Sequence, residues 1–302
     1  PGPDTPAGDK PAHAIGVVAA AERDRRVAYE DRIGDMLKAV PAAANSSNEL
    51  SIPAETFTDY LKKRYPEDEA IAASSVVTVP GGRSKGTILV DFETGDGPRQ
   101  MVVRKDFGLS VTGTSVVYEF PIVRAAWEAG LQVPEPMWLE EDVDAIGGRF
   151  IAFQRVTGKA MGTLFSSDAS PGFVREFAGA LARLHSLDID AAGIGKHVRY
   201  GTDGHPVEAM IAQFYERYRK DLRSTPLMDA AFAWLRGQID AIGNHRALIH
   251  GDAGLHNTLG EGDTLTALLD WEFAHAGDPA EDLTYCKYLV ERIIPWDDFM
   301  AA

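Results

Sequence analysis

Three side chains that carry oxygen ligands lie in the carboxyl-terminal part of the sequence. Asp252 precedes Asn257 by five positions, and Asn257 precedes Asp270 by thirteen, by subtraction of their numbers. Phosphoryl transfer needs a carboxylate that accepts or orients the proton of the acceptor hydroxyl, and hard oxygen ligands that hold Mg²⁺ against the phosphates. Asp252 can take the first role, and Asn257 with Asp270 the second. The residue types therefore predict phosphoryl transfer, with Asp252 as the catalytic group.

Other interpretations of these residues stay open. Asp and Asn are common in turns and at helix ends, so each residue alone is compatible with a structural role. His250, Asp252, His256 and Asp270 could instead bind a transition metal in a hydrolase, although Asn257 would then have no role. A non-catalytic binding domain is a third alternative. The spacing from Asp252 to Asn257 matches the catalytic loop of protein kinases and favours phosphoryl transfer.

The elements that would position these residues change character along the chain. Residues 1–11 are rich in Pro, Gly and Asp and are predicted to be disordered. Apolar spacing then predicts two helices, and alternation predicts a group of strands with one helix among them. The helices are predicted at 14–40, 53–65 and 115–130, and the strands at 76–79, 87–92, 100–107 and 149–155. After Gly158 the spacing is mostly helical, with short strands at 247–249 and 265–269.

This order of elements predicts an α+β protein in three parts. The parts are an extension (1–75), a lobe with a small antiparallel sheet and one helix (76–157), and a mainly α-helical lobe (158–302). A strand leads into each of the two polar motifs, so both are expected at the mouth of a cleft.

A family resemblance extends from about Val79 to the end of the sequence. His250-Gly251-Asp252 with Asn257, followed by Asp270-Trp271-Glu272, resembles the aminoglycoside phosphotransferase family, and residues 277–283 resemble its next segment. That family shares the bilobal protein-kinase-like fold and includes choline kinases and macrolide kinases. The resemblance implies ATP as phosphate donor, with GTP left open, Mg²⁺ as cofactor, and a small-molecule hydroxyl as acceptor.

The resemblance also implies which residues contact the nucleotide. Gly81, Gly82 and Ser84 fall where the family covers the phosphates, and glycine lets backbone amides approach an anion closely. Gln154 and Val156 fall in the segment that binds adenine through its backbone. These five residues are therefore expected to bind the nucleotide.

One helix glutamate and a basic strand residue complete the expected nucleotide site. Glu119 resembles the family's helix glutamate, and residues 101–105 resemble the strand that carries its basic partner. Alternation puts Arg104 and Lys105 on opposite faces of that strand, and the alignment favours Arg104. We predict an ion pair between Arg104 and Glu119, in which arginine can also hold phosphate oxygens through two donors.

Several neighbours of the motifs are predicted to be structural. His250 is expected to brace its loop, and Asp282 to bond the backbone around it. Trp271 is expected in the core, and His185 is interpreted as a packing residue.

Composition excludes some functions and leaves the acceptor open. The formal net charge of −15 argues against nucleic-acid binding, and the single cysteine excludes an intrachain disulfide. No apolar run approaches membrane-spanning length, so a cytoplasmic location is expected. Gly277 lies only seven positions after Asp270, which is too short for a peptide-docking platform and predicts a small-molecule acceptor. Family members usually carry further helices beyond the position of Ala302, and these helices help to form the acceptor pocket. The acceptor therefore stays open between an aminoglycoside-like compound, a sugar, an amino alcohol and a hydroxyacyl compound.

Overall fold

The computed structural model describes residues 52–79, 84–107, 114–202, 204–221 and 224–302. The helix predicted at 14–40 and the nucleotide-binding role predicted for Gly81 and Gly82 lie outside these ranges. The predicted helix at 53–65 is present as α1 (Ala54–Arg64), which buries Phe57, Tyr60 and Leu61.

A five-stranded antiparallel sheet forms the first half of the described chain. Its strands run in the order β1-β2-β3-β5-β4. One face packs with α1 around a core that includes Phe57, Ile88, Val103 and Phe150. The strands are β1 (Ala72–Val79), β2 (Lys85–Thr94), β3 (Gly97–Asp106), β4 (Pro136–Glu140) and β5 (Phe150–Gln154).

Strand β4 was not predicted. It begins at Pro136 and pairs only with β5, at the edge of the sheet. Proline cannot donate to a strand ladder and occurs in sheets mainly at edges or at the first position of a strand. The local sequence at Pro136 therefore gives little indication of a strand, and the pairing with β5 decided the outcome.

Helix α2 (Val116–Glu128) carries the glutamate of the predicted site. It begins after Ser115, whose hydroxyl accepts a hydrogen bond from the amide of Val117. Ile122, Val123 and Ala126 are buried in the larger core. Glu119 is one turn before Val123 and so faces the protein interior, where it is almost fully buried.

The second half of the chain is mainly helical, as predicted. The apolar positions of its first helix, Phe173, Phe177, Leu181 and Leu184, are all buried in the larger core. The helices are α3 (Pro171–His185), α4 (Pro206–Asp221), α5 (Pro226–Gly237), α6 (Ala280–Val290) and α7 (Trp296–Met300). Of the helices that the structure describes, none combines the length and the apolar character that a membrane span needs.

Short strand pairs hold the loops that carry the polar motifs. Strand β7 pairs with β10, and β6, β8 and β9 form a three-stranded sheet. Their bounds are β6 (Lys159–Ala160), β7 (Ala247–Ile249), β8 (Thr258–Glu261), β9 (Thr264–Leu268) and β10 (His275–Gly277). The α+β fold class is confirmed, and the proposed lobe boundaries stay a prediction.

Candidate active site

The loop that carries Asp252 is tied to α6 through a buried carboxylate. Asp282 accepts hydrogen bonds from the backbone amides of His250 (2.8 Å) and Gly251 (2.9 Å), which confirms the predicted contact. Gly251 has a φ of 80°, and a Cβ there would lie 2.5 Å from the carbonyl oxygen of Phe273. The tight turn before Asp252 therefore requires glycine.

His185 also contacts Asp282, so its interpretation as a packing residue was wrong. We call the contacts of Asp282 with His185 and with the His250 and Gly251 amides the Asp282 brace. Its Nε2 lies 3.0 Å from Asp282 Oδ2. Although burial opposes ionisation, the hydrogen bond from His185 and those from the His250 and Gly251 amides hold the pKa of Asp282 below its ordinary value. The contact spans 97 positions of sequence, so helical spacing in α3 could not indicate it.

His250 links the two polar motifs. Its Nε2 lies 2.9 Å from the carbonyl oxygen of Leu269, and its Nδ1 lies 3.3 Å from the amide of Asp252. Burial lowers the pKa of His250, so the ring is neutral and donates through Nε2 while Nδ1 accepts. The ring also packs on Trp271, which is buried as predicted. His250 therefore fixes the end of β9 next to the Asp252 loop.

The Asp282 brace provides a stability test. Replacing Asp282 with Asn is expected to lower the free energy of unfolding by on the order of 3 kcal/mol. A neutral side-chain amide has one acceptor oxygen where the carboxylate has two, so it leaves a backbone donor of His250 or Gly251 unpaired. Because the folded-state pKa of Asp282 is depressed, its contribution is present above the unfolded pKa of about 4 and is lost as pH falls through the lower folded pKa. Urea unfolding at pH 7 and near pH 3 should therefore give a smaller difference between wild type and variant at the acidic pH.

Asp96→Asn, in the exposed turn between β2 and β3, is the matched control for that comparison. It should change stability by less than about 0.5 kcal/mol at pH 7. A loss at Asp282 no larger than this would show that the brace does not stabilise the loop.

Three polar side chains lie beside the Asp252 carboxylate. Asn257 Nδ2 lies 2.9 Å from Asp252 Oδ2, and His256 Nε2 lies 3.5 Å from Oδ1. Partial burial raises the pKa of Asp252, but hydrogen bonds from His256, Tyr285 and Asn257 outweigh it and bring the pKa below its ordinary value. Burial and the same contact raise the pKa of Tyr285, so its phenol stays protonated and donates. Asp252 is therefore an oriented, ionised carboxylate.

The two predicted metal ligands are neighbours in space. The amide of Leu269 donates to the carbonyl oxygen of Asn257 (2.8 Å), which places Asp270 next to the Asn257 backbone. Asp270 has left-handed backbone angles (φ 68°, ψ 66°), which are uncommon outside glycine and least unfavourable for Asn and Asp. The hairpin β8–β9 therefore brings together residues that lie thirteen positions apart.

The predicted ion pair between Arg104 and Glu119 is confirmed. Arg104 Nε lies 3.1 Å from Glu119 Oε2, while Arg104 Nη2 lies 2.5 Å from Asp270 Oδ1. Lys105 points to the opposite face of β3, where a Cβ on Gly148 would lie 3.3 Å from its Nζ. The strand register was therefore predicted correctly, and Arg104 joins the helix glutamate to the predicted metal ligand.

A second basic residue at Glu119 was not predicted. Lys85 Nζ lies 2.8 Å from Glu119 Oε1 and 2.9 Å from Glu272 Oε2. The hydroxyl of Ser84 donates to Glu272 Oε1 at 2.7 Å. The side chain of Ser84 therefore binds Glu272, which differs from the predicted contact with the phosphates. A phosphate contact through the backbone amide of Ser84 stays a prediction.

The predicted adenine-binding segment follows β5. The amide of Gln154 donates to the carbonyl oxygen of Glu135 (2.9 Å), so that amide is occupied within the protein. Residues 155–158 continue without regular structure towards β6. Adenine recognition by Gln154 would therefore use its carbonyl oxygen, and recognition by Val156 stays a prediction.

The donor set near Asp252 fits Mg²⁺ better than a transition metal. Asn257 donates through Nδ2 to Asp252, which turns its amide oxygen away from that carboxylate. This oxygen and the Asp270 carboxylate are the hard ligands that Mg²⁺ takes alongside phosphates. Among the residues that the structure describes, no group of three or more His, Cys, Asp and Glu is arranged to hold a metal. Both nitrogens of His250 are also occupied, so the hydrolase alternative loses a ligand.

Comparison with known proteins gives curated relatives that are named as acyl-CoA dehydrogenases. A segment of 186 residues is 28% identical to acyl-CoA dehydrogenase family member 11 of Rattus norvegicus, covering 59% of this chain and 24% of the relative. A segment of 233 residues is 28% identical to a probable acyl-CoA dehydrogenase of Arabidopsis thaliana, covering 70% of this chain and 28% of the relative. The chain thus spans about a quarter of the length of these relatives.

Solved structures show the same fold. A protein of Ralstonia eutropha assigned as an aminoglycoside phosphotransferase is 25% identical, with a TM-score of 0.59, covering 76% of this chain and 68% of that one. An aminoglycoside phosphotransferase solved with ADP and hygromycin B is 19% identical, with a TM-score of 0.56, covering 82% and 79%.

A family profile covers most of the chain. The profile described as the phosphotransferase enzyme family (APH) matches residues 75–300, which include every described residue of the site. The chain therefore belongs to the APH phosphotransferase enzyme family.

Proposed function

We propose that this chain transfers the γ-phosphate of ATP, bound with Mg²⁺, to a hydroxyl of a small molecule. The observation that carries the proposal is the convergence of Asp252, Asn257 and Asp270. Asn257 bonds the Asp252 carboxylate, and its backbone binds the residue before Asp270. Arg104 then connects Asp270 to Glu119. A proton acceptor, hard oxygen ligands and a phosphate-binding cation thus lie in one continuous arrangement.

The roles of the protein groups follow from this arrangement. Asp252 would orient the acceptor hydroxyl and take its proton as the oxygen bonds to the γ-phosphorus and the bond from that phosphorus to the ADP oxygen breaks. Asn257 and Asp270 would hold Mg²⁺, which neutralises charge on the phosphates when it is bound. Arg104 would contribute a second positive group. ADP and a phosphate ester are the products, and GTP remains an alternative donor for the assay.

The segment after Asp270 supports a small acceptor. Helix α6 begins at Ala280, and residues 275–277, which lie between Asp270 and this helix, pair with β7. His275 is fixed further, because its Nε2 lies 3.0 Å from Glu281 Oε2 and its Nδ1 lies 2.8 Å from the carbonyl oxygen of Phe273. A segment that is short and bound to its neighbours offers no platform for a peptide.

A cavity beside the Asp252 loop favours one acceptor class. His256 and Tyr285 contact Asp252 and also line this cavity of about 260 Å³. Its described lining contains no Asp, Glu, Lys or Arg. The other lining residues are Leu164, Phe165, Gly254, Leu255, Cys286, Tyr288 and Leu289. An apolar lining suits a hydrocarbon body better than a polycation, and the curated relatives are named for acyl-CoA chemistry. A hydroxyacyl compound is therefore the acceptor that we favour.

The test is incubation of the protein with radiolabelled ATP and Mg²⁺, in a cell lysate and with single acceptors. The acceptors are a hydroxyacyl thioester, a hexose, choline and kanamycin, and GTP replaces ATP in a parallel series. We expect the label in the small-molecule fraction, with the hydroxyacyl thioester labelled fastest, and labelling at least about 10²-fold slower with Asp252→Asn. Label that appears mainly on protein and depends on Asp252 would contradict the proposal.

A further inference from the structure

The cavity beside the Asp252 loop has a polar end next to the carboxylate. His256 and Tyr285 line the cavity and also contact Asp252, so an acceptor whose hydroxyl meets Asp252 extends from this end into the cavity. Tyr288 and Leu289 continue the lining from α6, on the same helix face as Tyr285. The other lining side chains are mainly apolar. The cavity therefore suits a molecule with a hydroxyl on a hydrocarbon chain.

A compact turn at residues 161–167 adds two apolar side chains, Leu164 and Phe165, to this lining. The amide of Thr163 donates to the carbonyl oxygen of Ser166 at 2.7 Å. The hydroxyl oxygen of Thr163 accepts hydrogen bonds from the amides of Phe165 (3.2 Å) and Ser166 (3.1 Å). Polar groups of the turn thus hold its shape and leave the two apolar side chains available for a ligand.

The 161–167 turn is fixed against the loop that carries the polar motif. The amide of Met161 donates to the carbonyl oxygen of Thr258 at 3.2 Å. A Cβ on Gly162 would lie 3.3 Å from the Cβ of Leu255, which is on the Asp252 loop. This close approach keeps Leu164 and Phe165 at a set position relative to the proposed catalytic group.

The two apolar side chains of the turn are open to water. The exposed fraction is 79% for Phe165 and 57% for Leu164. Neighbouring exposed apolar side chains mark binding surfaces, because a ligand that covers them removes apolar surface from water. A hydrocarbon chain in the adjoining cavity would cover Leu164 and Phe165, and each additional methylene in contact with them would strengthen binding.

We propose that Leu164 and Phe165 are specificity-determining residues that contact the hydrocarbon chain of the acceptor and select acceptors by the length of that chain. The inference rests on the proposed function, because it takes a hydroxyacyl compound as the acceptor. It adds the position of the chain, which runs from the hydroxyl at Asp252 past Tyr285 to the 161–167 turn.

The test measures kcat/KM for a series of hydroxyacyl thioesters that differ only in the number of methylenes. For the wild type we expect kcat/KM to rise by about four-fold for each methylene that the cavity takes up. Phe165→Ser should lower the ratio of kcat/KM for long-chain over short-chain acceptors by about 10-fold, because an apolar wall of the cavity is lost. The KM for ATP should stay within about two-fold of the wild type.

Two variants make the effect specific to this side chain. Phe165→Leu keeps an apolar side chain, so its ratio should stay within about three-fold of the wild type. Leu227→Ser is the matched control, because Leu227 is 76% exposed on α5 and does not line the cavity. It should leave the ratio unchanged. Phe165→Ser should unfold at the wild-type temperature, since its side chain is mostly exposed.

The outcomes separate this inference from the proposed function. A wild-type series in which kcat/KM does not depend on chain length would overturn the inference alone. So would a Phe165→Ser variant that keeps the wild-type ratio. Wild-type protein that labels no acceptor, or that labels a hexose, choline or kanamycin faster than every member of the series, would overturn the proposed acceptor and the inference with it.

Discussion

Asp252→Asn is expected to lower turnover by about 10²- to 10⁴-fold, the usual contribution of a positioned acid–base group. The variant loses the group that takes the acceptor proton. Asparagine can still accept a hydrogen bond from Asn257, so the loop should keep its shape. Because Asp252 is not a predicted metal ligand, the affinity for Mg·ATP should stay within about three-fold of the wild type. Steady-state kinetics and calorimetry measure these two effects separately.

Two comparisons make the Asp252 result specific. Asp96→Asn removes one carboxylate from an exposed turn and should leave both turnover and nucleotide affinity unchanged. Tyr285→Phe removes one donor to Asp252 and should reduce turnover much less than Asp252→Asn does, because Asn257 and His256 remain. An Asp252→Asn enzyme that retains more than roughly a tenth of wild-type turnover on its best acceptor would disprove the assignment.

Asp270→Ala is expected to abolish the effect of Mg²⁺ on nucleotide binding. Asp270 supplies the carboxylate among the proposed ligands, and Mg²⁺ bound through one or two protein groups depends strongly on each. The variant also frees Arg104 Nη2 from its 2.5 Å contact with Asp270. We therefore expect ADP measured with Mg²⁺ and ADP measured with EDTA to bind with similar affinity, whereas Mg²⁺ should strengthen binding to the wild type.

The backbone at Asp270 needs its own control. Its φ of 68° is costly for alanine, by about 1–2 kcal/mol, whereas asparagine tolerates such angles. Asp270→Asn should therefore unfold close to the wild-type temperature and yet respond much more weakly to Mg²⁺. If Mg²⁺ strengthens ADP binding to both variants as it does for the wild type, the metal site lies elsewhere.

Local sequence was sufficient to predict that the residues of the two polar motifs lie close together. Asp252 and Asn257 lie on one short loop, and the β8–β9 hairpin spans the thirteen positions from Asn257 to Asp270 and brings these two residues together. A hairpin of this length has few geometries, so spacing predicts proximity. The Arg104–Glu119 pair was predicted from the family resemblance, because strand alternation only places Arg104 and Lys105 on opposite faces and the alignment favoured Arg104. Residue type and short-range geometry therefore determined the proposed chemistry.

Other contacts depended on which elements pack together. Strand β4 begins at Pro136 because it pairs with β5 at the edge of the sheet, although its local sequence gives little indication of a strand. His185 and Asp282 meet across 97 positions, and their types alone are equally compatible with a surface. Such contacts arise from the docking of α3 against the Asp252 loop and α6, which no local pattern describes.

The sequence by itself determined which residues could carry out phosphoryl transfer, and the tertiary structure decided how their charges are balanced. Lys85 follows a glycine-rich segment of the sequence and was not predicted to contact Glu119. Lys85 is buried against Glu119 and Glu272, the second of which lies 187 positions away in the sequence, whereas the more exposed Arg104 contacts Asp270. The physical reason is that the cost of burying a charge depends on all the charges that surround it, and only the packed fold brings these together.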